Sequence, residues 1–247
     1  MRNKIVPTIA LRETVRQCEY LINHLGVFLQ SGNDFEVFKF FASDSERETP
    51  LDPIFSPTDS NIETVCGKWL IGRNQKGEVV QTQAMRMLDL KGQTLARFFQ
   101  NDLFQIRPFG QQIDPDKTVW RLSGSAAKMQ GEVCYHGGLW IRKDFRGGSL
   151  TALITRYLLA KTLLELSPDF FIGLQAPVTA CRGLSAREGY TRLEQSSIIW
   201  HLTDSPDAFE DWLVWMSADE AAFNLEVPPE KFFEMFEKSA IPNRAAG

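Results

Sequence analysis

The sequence predicts an α/β fold around a mixed sheet, and three observations carry that prediction. Apolar residues recur at three- and four-residue spacing in some segments and alternate in others. Segments of the two kinds follow one another along the chain rather than collecting in separate halves. Finally, residues 139–166, "LWIRKDFRGGSLTALITRYLLAKTLLEL", pass from a strand pattern through a glycine-rich turn into a long helix pattern.

Taken in order, "LRETVRQCEYLINHLGVFLQSG" places Val15, Cys18, Leu21, Ile22, Leu25, Phe28 and Leu29 on one face, which predicts an amphipathic helix ending at Gly32. Residues 43–61, rich in Ser, Pro and charge, read as a loop. "KWLIGRNQKGEVVQTQAMRMLDL" reads as a hairpin turning at Asn-Gln-Lys-Gly. Within 91–117, "TLARFFQNDLF" suggests a short helix and "RPFGQQIDPDK" an irregular stretch. "TVWRLSG" and "GEVCYHGGLWI" read as strands, and Leu150, Leu153, Ile154, Leu158 and Leu159 mark a helix. "DFFIGLQ" fits a buried strand, "PVTACRGLSAREGY" a helix closed by Gly189, and "SSIIWHL" a further strand. Ser205 and Pro206 read as cap and first residue of a helix through "DAFEDWLVWMSADEAAFNL". "PEKFFEMFEKS" follows as another helix, before frayed last residues.

Bulk properties narrow the function. The 247 residues suffice for one large domain, with a helical segment and loop expected at 1–60, an insert at 91–117 and a helical extension at 203–247. Lys and Arg number 27 against 31 Asp and Glu, a formal charge of −4, so no basic surplus points to nucleic acid. Four scattered cysteines and three histidines argue against a metal site. No apolar run of membrane-spanning length and no secretory signal stands in the sequence, so a cytoplasmic setting with free thiols is expected.

The turn Arg146-Gly147-Gly148-Ser149 poses the functional question. A strand ending near Arg142 that feeds a helix starting near Leu150 would present unpaired N–H groups to an anion, with glycines permitting close approach. The same residues also serve a plain turn with a serine cap.

"LWIRKDFRGGSLTALI" resembles the acyl-CoA loop of the GNAT N-acetyltransferase superfamily, with Ile141, Phe145, Arg146 and Gly147 at the positions of its Val, Tyr, Arg and Gly. "LSAREGYTRLE" resembles the family's helix end, Tyr-x-x-x-Gly-Phe. The resemblance spans about 65–202 and implies a mostly antiparallel sheet with helices on both faces. It also implies two strands splayed apart, near 132–142 and 170–175, with Gly137 and Gly138 marking a bulge. The implied co-substrate is acyl-CoA, without a metal, held by Leu139, Ile141, Arg146, Gly147, Gly148, Ser149, Thr151 and Gln175. Departures are Ser149 and Thr151 at positions where the family has small residues, Ser185 at its frequent Tyr, and Val178 at its frequent Asn.

For aminolysis, Glu132 and His136 are the candidate catalytic pair on the first splayed strand. Gln83, Arg86 and Arg121 are candidates for an acceptor site, and Cys134 reads as a small core residue. Phe232, Phe233 and Phe236 read as packing or as a dimer contact. The partner expected is a small amine or amino-acid-like acceptor, with no membrane, in a chain that could form a homodimer. Two alternatives stay open. One is a non-catalytic acyl-CoA-binding or sensing module. The other is a relative of acyl-homoserine lactone synthases, whose Trp-Glu-x-Ser-Arg strand "VWRLSG" resembles except at Arg121 and Gly124.

Overall fold

In the computed structural model, residues 8–48, 50–60, 62, 66–102, 112–122 and 124–240 are described, with 236–240 as backbone only. Helix α1 (Thr8–His24) buries Leu11, Cys18, Leu21 and Ile22 along one side. It stops sooner than its apolar spacing suggests. Gly26, at φ +76, turns the chain out of the helix, and Phe28–Gly32 becomes strand β1. The expected helix to Gly32 is thus a helix followed by a strand, because Val27, Phe28 and Leu29 pack as readily on a pleated surface.

Helix α2 (Phe35–Asp44) is capped by Asp34, whose carboxylate accepts from the Glu36 amide. The hairpin of β2 (Gly67–Arg73) and β3 (Val79–Leu88) forms as expected, and α3 (Leu95–Asn101) follows it. The irregular stretch expected at 107–117 lies partly outside the described residues, as do Ser123 of "VWRLSG" and the terminal residues 241–247. Of that strand only β4 (Val119–Trp120) forms. Next come β5 (Val133–Ile141), α4 (Leu150–Glu165) and β6 (Phe170–Gln175). "PVTACRGLSAREGY" makes two short helices, α5 (Pro177–Cys181) and α6 (Leu184–Glu188), broken at Gly183 and closed at Gly189.

The largest departure from the sequence reading follows β7 (Arg192–His201). Residues 208–217, read as the start of a helix, form strand β8. Ser205 accepts the Asp207 amide in a turn, and the helix cap falls instead at Ser217, in a capping box with Glu220. The aromatic and β-branched run Trp212-Leu213-Val214-Trp215 suits a strand, and its side chains divide between the two sheet faces. Helices α7 (Ala218–Leu225) and α8 (Pro229–Ala240) complete the chain.

Among the described residues, eight strands make one sheet in the order β1-β2-β3-β5-β6-β8-β7-β4. Only β5 and β6 run parallel; their neighbours pair antiparallel. One apolar layer joins α1, α4 and α7 to one face, and a second joins α2 and α3 to the other. Arg156 of α4, itself buried, donates to the carbonyls of Asn224, Leu225 and Val227 and so fastens the C-terminal helices to the first layer.

Candidate active site

Strands β5 and β6 pair at Val133–Phe170, Cys134–Phe171 and Tyr135–Ile172, and there the ladder ends. Both strands continue beyond it, β5 to Ile141 and β6 to Gln175. On its other side β5 holds one residue more than β3, since Thr82 faces Trp140 and Ala84 faces Gly137. This is the expected bulge, with Gly138 at φ +62. The Gly138 carbonyl accepts from the Thr82 hydroxyl at 3.0 Å and from Arg47 at 3.3 Å.

A cleft of about 600 Å³ occupies the parting. Its lining comes from both layers, so it passes through the sheet between the two strands. On the α4 face lie His136, Gln175, Glu188 and Tyr190. Gln83 gives its amide hydrogen to the Ile154 carbonyl of α4 at 2.8 Å, which leaves its oxygen toward His136 Nε2 at 3.2 Å. His136 Nε2 therefore carries the proton, and Nδ1 accepts from the Tyr190 hydroxyl at 3.1 Å. Burial pushes His136 down to about 4, so the ring is neutral at neutral pH. Glu188 accepts from the Gln175 side-chain amide. Its burial outweighs that bond and pushes the carboxyl up to about 8.

On the α2–α3 face the cleft meets Arg47, Asp52, Tyr135, Phe209 and Asp211, while Glu210, also on its rim, alternates to the other face and accepts from the Trp212 indole. Asp211 accepts from the Trp200 indole at 2.8 Å, yet burial, with Asp52 and Glu210 adding repulsion, raises it to about 6. Burial lowers Arg47, and Asp52 beside it partly restores its charged form.

The residues singled out in the sequence fall in different places. His136, Leu139 and Gln175 line the cleft. Glu132 does not. It is exposed at the joined end of the strands, where its carbonyl accepts from Asp169 and Phe170. Ile141 is buried behind the bulge, and its carbonyl accepts from Arg146 Nε. In the loop, Arg146 and Gly147 are exposed and Gly148 is half-buried, while Ser149 and Thr151 are buried. A side chain at Gly147 would meet nothing within 4 Å, so the space above the turn is open. The Arg142 charge is held by Glu78 and Asp144.

Gln83 enters the site through His136, whereas Arg86 holds the Ile54 carbonyl and the Ser60 hydroxyl as framework. Arg121 is exposed, with its amide on the Ser197 carbonyl. Cys134 is buried in the α4 layer as expected, its thiol pushed up by burial. Phe233 packs against that layer and Phe232 lies under Arg156, while the Phe236 side chain is outside the described residues.

Arg47, Asp52, Glu188, Tyr190 and Asp211 were not singled out in the sequence. Glu188 and Tyr190 flank Gly189 inside "LSAREGYTRLE", so a charged residue closing a short helix was the available signal. Asp211 was hidden by the helix reading.

No protein-family profile matches the chain, and no curated protein matches it. Solved structures with a similar course include a GNAT-family acetyltransferase from Staphylococcus aureus Mu50, 11% identical, covering 78% of this chain and 99% of that one, TM-score 0.42. Arabidopsis thaliana NAA60 in complex with acetyl-CoA is 12% identical, covering 78% and 99%, TM-score 0.42. Mycobacterium smegmatis RimJ in complex with CoA-disulfide is 14% identical, covering 87% and 84%, TM-score 0.38. By its own topology the chain has an α/β fold, a mostly antiparallel sheet clad by helices on both faces and parted beside its parallel pair.

Proposed function

We propose that this chain is an N-acyltransferase that moves an acyl group from acyl-CoA to an amine. The observation that carries the reading is the parting of β5 and β6, which opens a cleft through the sheet with proton-handling groups at both of its mouths. The backbone of β5 around Leu139 and Ile141, with Gln175 opposite, would take the pantetheine amides. Arg146, Gly147 and Gly148 form the solvent-facing part of the loop that would meet the diphosphate. Ser149 and Thr151, both buried, would support that loop from beneath.

In the transfer, the amine nitrogen bonds to the thioester carbonyl carbon as the carbon–sulfur bond breaks. The nitrogen gives up one proton and the sulfur takes one. Asp211, raised only to about 6, is ionised at neutral pH and suits the first task. Glu188, raised to about 8, still holds a proton there and suits the second. His136, neutral and bonded at both nitrogens, would hold the Tyr190 hydroxyl in place. Glu132, outside the cleft, has no task in this scheme.

The test pairs titration calorimetry with thiol release. Acetyl-CoA should bind one to one, and Glu188→Gln should keep that affinity while losing about 100-fold in kcat. Failure of acetyl-CoA and longer acyl-CoAs to bind at millimolar concentration sinks the reading. The engagement of Arg142 with two acids and the burial of Ser149 favour a second reading, a non-catalytic acyl-CoA-binding module. Binding without thiol release to any amine would select it.

A further inference from the structure

Three hydrogen bonds converge on the bulge of β5. The Gly138 carbonyl accepts from the Thr82 hydroxyl at 3.0 Å and from Arg47 at 3.3 Å, and the same Arg47 nitrogen donates to the Thr82 hydroxyl at 3.1 Å. Thr82 is fully buried on β3, while Arg47 comes from the loop after α2 and lines the cleft. Burial disfavours the Arg47 charge, and Asp52 beside it favours it, so a cation is kept at this carbonyl against the pull of solvent.

The peptide so held has no ladder partner on either side. β3 faces Gly137 and Trp140 but neither Gly138 nor Leu139, and the ladder to β6 has ended at Tyr135. Gly138 adopts φ +62, and a Cβ there would meet Leu51 at 3.5 Å and Phe38 at 3.6 Å, which is ordinary contact. Glycine is therefore needed for the backbone angle and not for space. No described peptide bond is cis, and a trans peptide points its N–H opposite to its C=O. Thr82 lies on the side of β5 away from β6, so a carbonyl turned to Thr82 turns the Leu139 N–H toward the parting. A peptide oxygen that accepts from a guanidinium is also polarised, which strengthens the N–H at the other end of the same peptide.

Resting on the acyl-transfer reading, we infer that Arg47 and Thr82 are positioning residues that aim the Leu139 N–H at the thioester oxygen. As the amine nitrogen bonds to the carbonyl carbon, the carbon–oxygen π pair moves onto that oxygen, and it returns when the carbon–sulfur bond breaks. A donor fixed before the charge appears stabilises it without having to reorganise. Arg47 and Thr82 touch no substrate in this arrangement and leave proton transfer to Asp211 and Glu188.

The experiment is isotope-edited infrared spectroscopy of acetyl-CoA labelled at the thioester carbonyl carbon and bound to the full chain. Calorimetry and thiol release, with hydroxylamine as the attacking amine, accompany it. Wild type should shift the carbonyl stretch to lower frequency on binding. Arg47→Met and Thr82→Val should each lose most of that shift and about tenfold or more in kcat, with acetyl-CoA affinity little changed. Thr82→Ser supplies the hydroxyl that Thr82→Val lacks and should recover most of both losses. The two Thr82 variants keep the test alive if Arg47→Met fails to fold.

A carbonyl shift and a kcat equal to wild type in Arg47→Met and Thr82→Val overturn the inference and leave the transferase reading standing. That holds whatever stability the variants lose, because merely fastening the loop would move stability alone. The absence of any shift in wild type with acetyl-CoA bound overturns it too. Failure of acetyl-CoA to bind removes both the inference and the transferase reading. A shift lost in the variants of a chain that releases thiol to no amine keeps the positioning role and removes the transferase reading.

Discussion

Glu188 should destabilise the fold it belongs to, and replacing it with glutamine should show by how much. Its carboxyl is pushed from 4.5 to about 8, chiefly because burial penalises the charge. An acid whose pKa rises on folding binds its proton more tightly when folded. Between 4.5 and about 8 the unfolded chain has lost that proton and the folded chain keeps it, so this group's contribution falls as pH rises through the window. At about 1.4 kcal/mol per tenfold change, the loss is roughly 3 kcal/mol by pH 7 and at most about 5 kcal/mol above pH 8. Glu188→Gln removes the charge and keeps an oxygen to accept the Gln175 amide. Urea unfolding of both proteins at pH 5, 7 and 8.5 reads the difference directly. Near pH 5 the two should agree within about 1 kcal/mol, and by pH 8.5 the variant should be the more stable by several. His136 and Asp211 titrate in both proteins and largely cancel in the comparison. Parallel stability curves, or a wild type that gains on the variant as pH rises, would refute the buried raised carboxyl and with it the proton-donor role. A gain in stability joined to a loss of turnover is what a group retained for chemistry produces.

Two further outcomes test the loop and the C-terminal helices. Gly147→Val forces a β-branched residue to φ +92, at a cost of about 1–2 kcal/mol, but meets no neighbouring atom. The chain should stay folded by circular dichroism while acetyl-CoA binding weakens, and equal affinity would remove the loop from the site. Arg156→Met abolishes three hydrogen bonds to the carbonyls of Asn224, Leu225 and Val227 and the stacking on Phe232 at 4.5 Å. It should cost about 3 kcal/mol and expose the segment after Leu225 to protease, whereas an unchanged digestion pattern would mean that α7 and α8 are held by other contacts.

What the sequence disclosed divides along physical lines. Where a turn signal or a long unbroken run of helix formers marks an element, the reading held, as for the β2–β3 hairpin with its Asn-Gln-Lys-Gly turn and for α4, although both are buried on nearly every side. The β5–loop–α4–β6 succession was legible from the glycine-rich turn between strand and helix patterns, and the bulge from Gly137 and Gly138 taken with the family resemblance. Phe28–Gly32 and Ala208–Ser217 were misread because short apolar runs satisfy helical and strand spacing alike, and long-range pairing decided between them. The site divides in the same way. His136 and Gln175 announce themselves on β5 and β6, but their partners do not. Tyr190 lies 54 residues from His136 in sequence and Gln83 lies 53 away on the other side, so only the folded sheet brings the three together. Arg47 reaches Gly138 across 91 residues from a stretch that reads as plain loop.

The misread strand bears directly on the site. Two strands that part inside a sheet leave unpaired edges, and such edges tend to close on each other or on another chain. Here each bounding strand is fastened on its far side. β5 is laddered to β3 from Val133 to Ile141 around the bulge, and β6 is laddered to β8 at every residue from Phe170 to Gln175. Had residues 208–217 been helical, β6 would lack that antiparallel partner, and its only ladder would be the three pairs to β5. The cleft would then have one rigid wall and one loose wall. With β8 in place, β6 cannot swing toward β5 without breaking a six-residue ladder, so the gap is held open by pairing outside it. The same strand carries Phe209 and Asp211 to the cleft on one sheet face and Glu210 to its rim on the other. One element thus both keeps the strands apart and supplies the charge at the opening they leave.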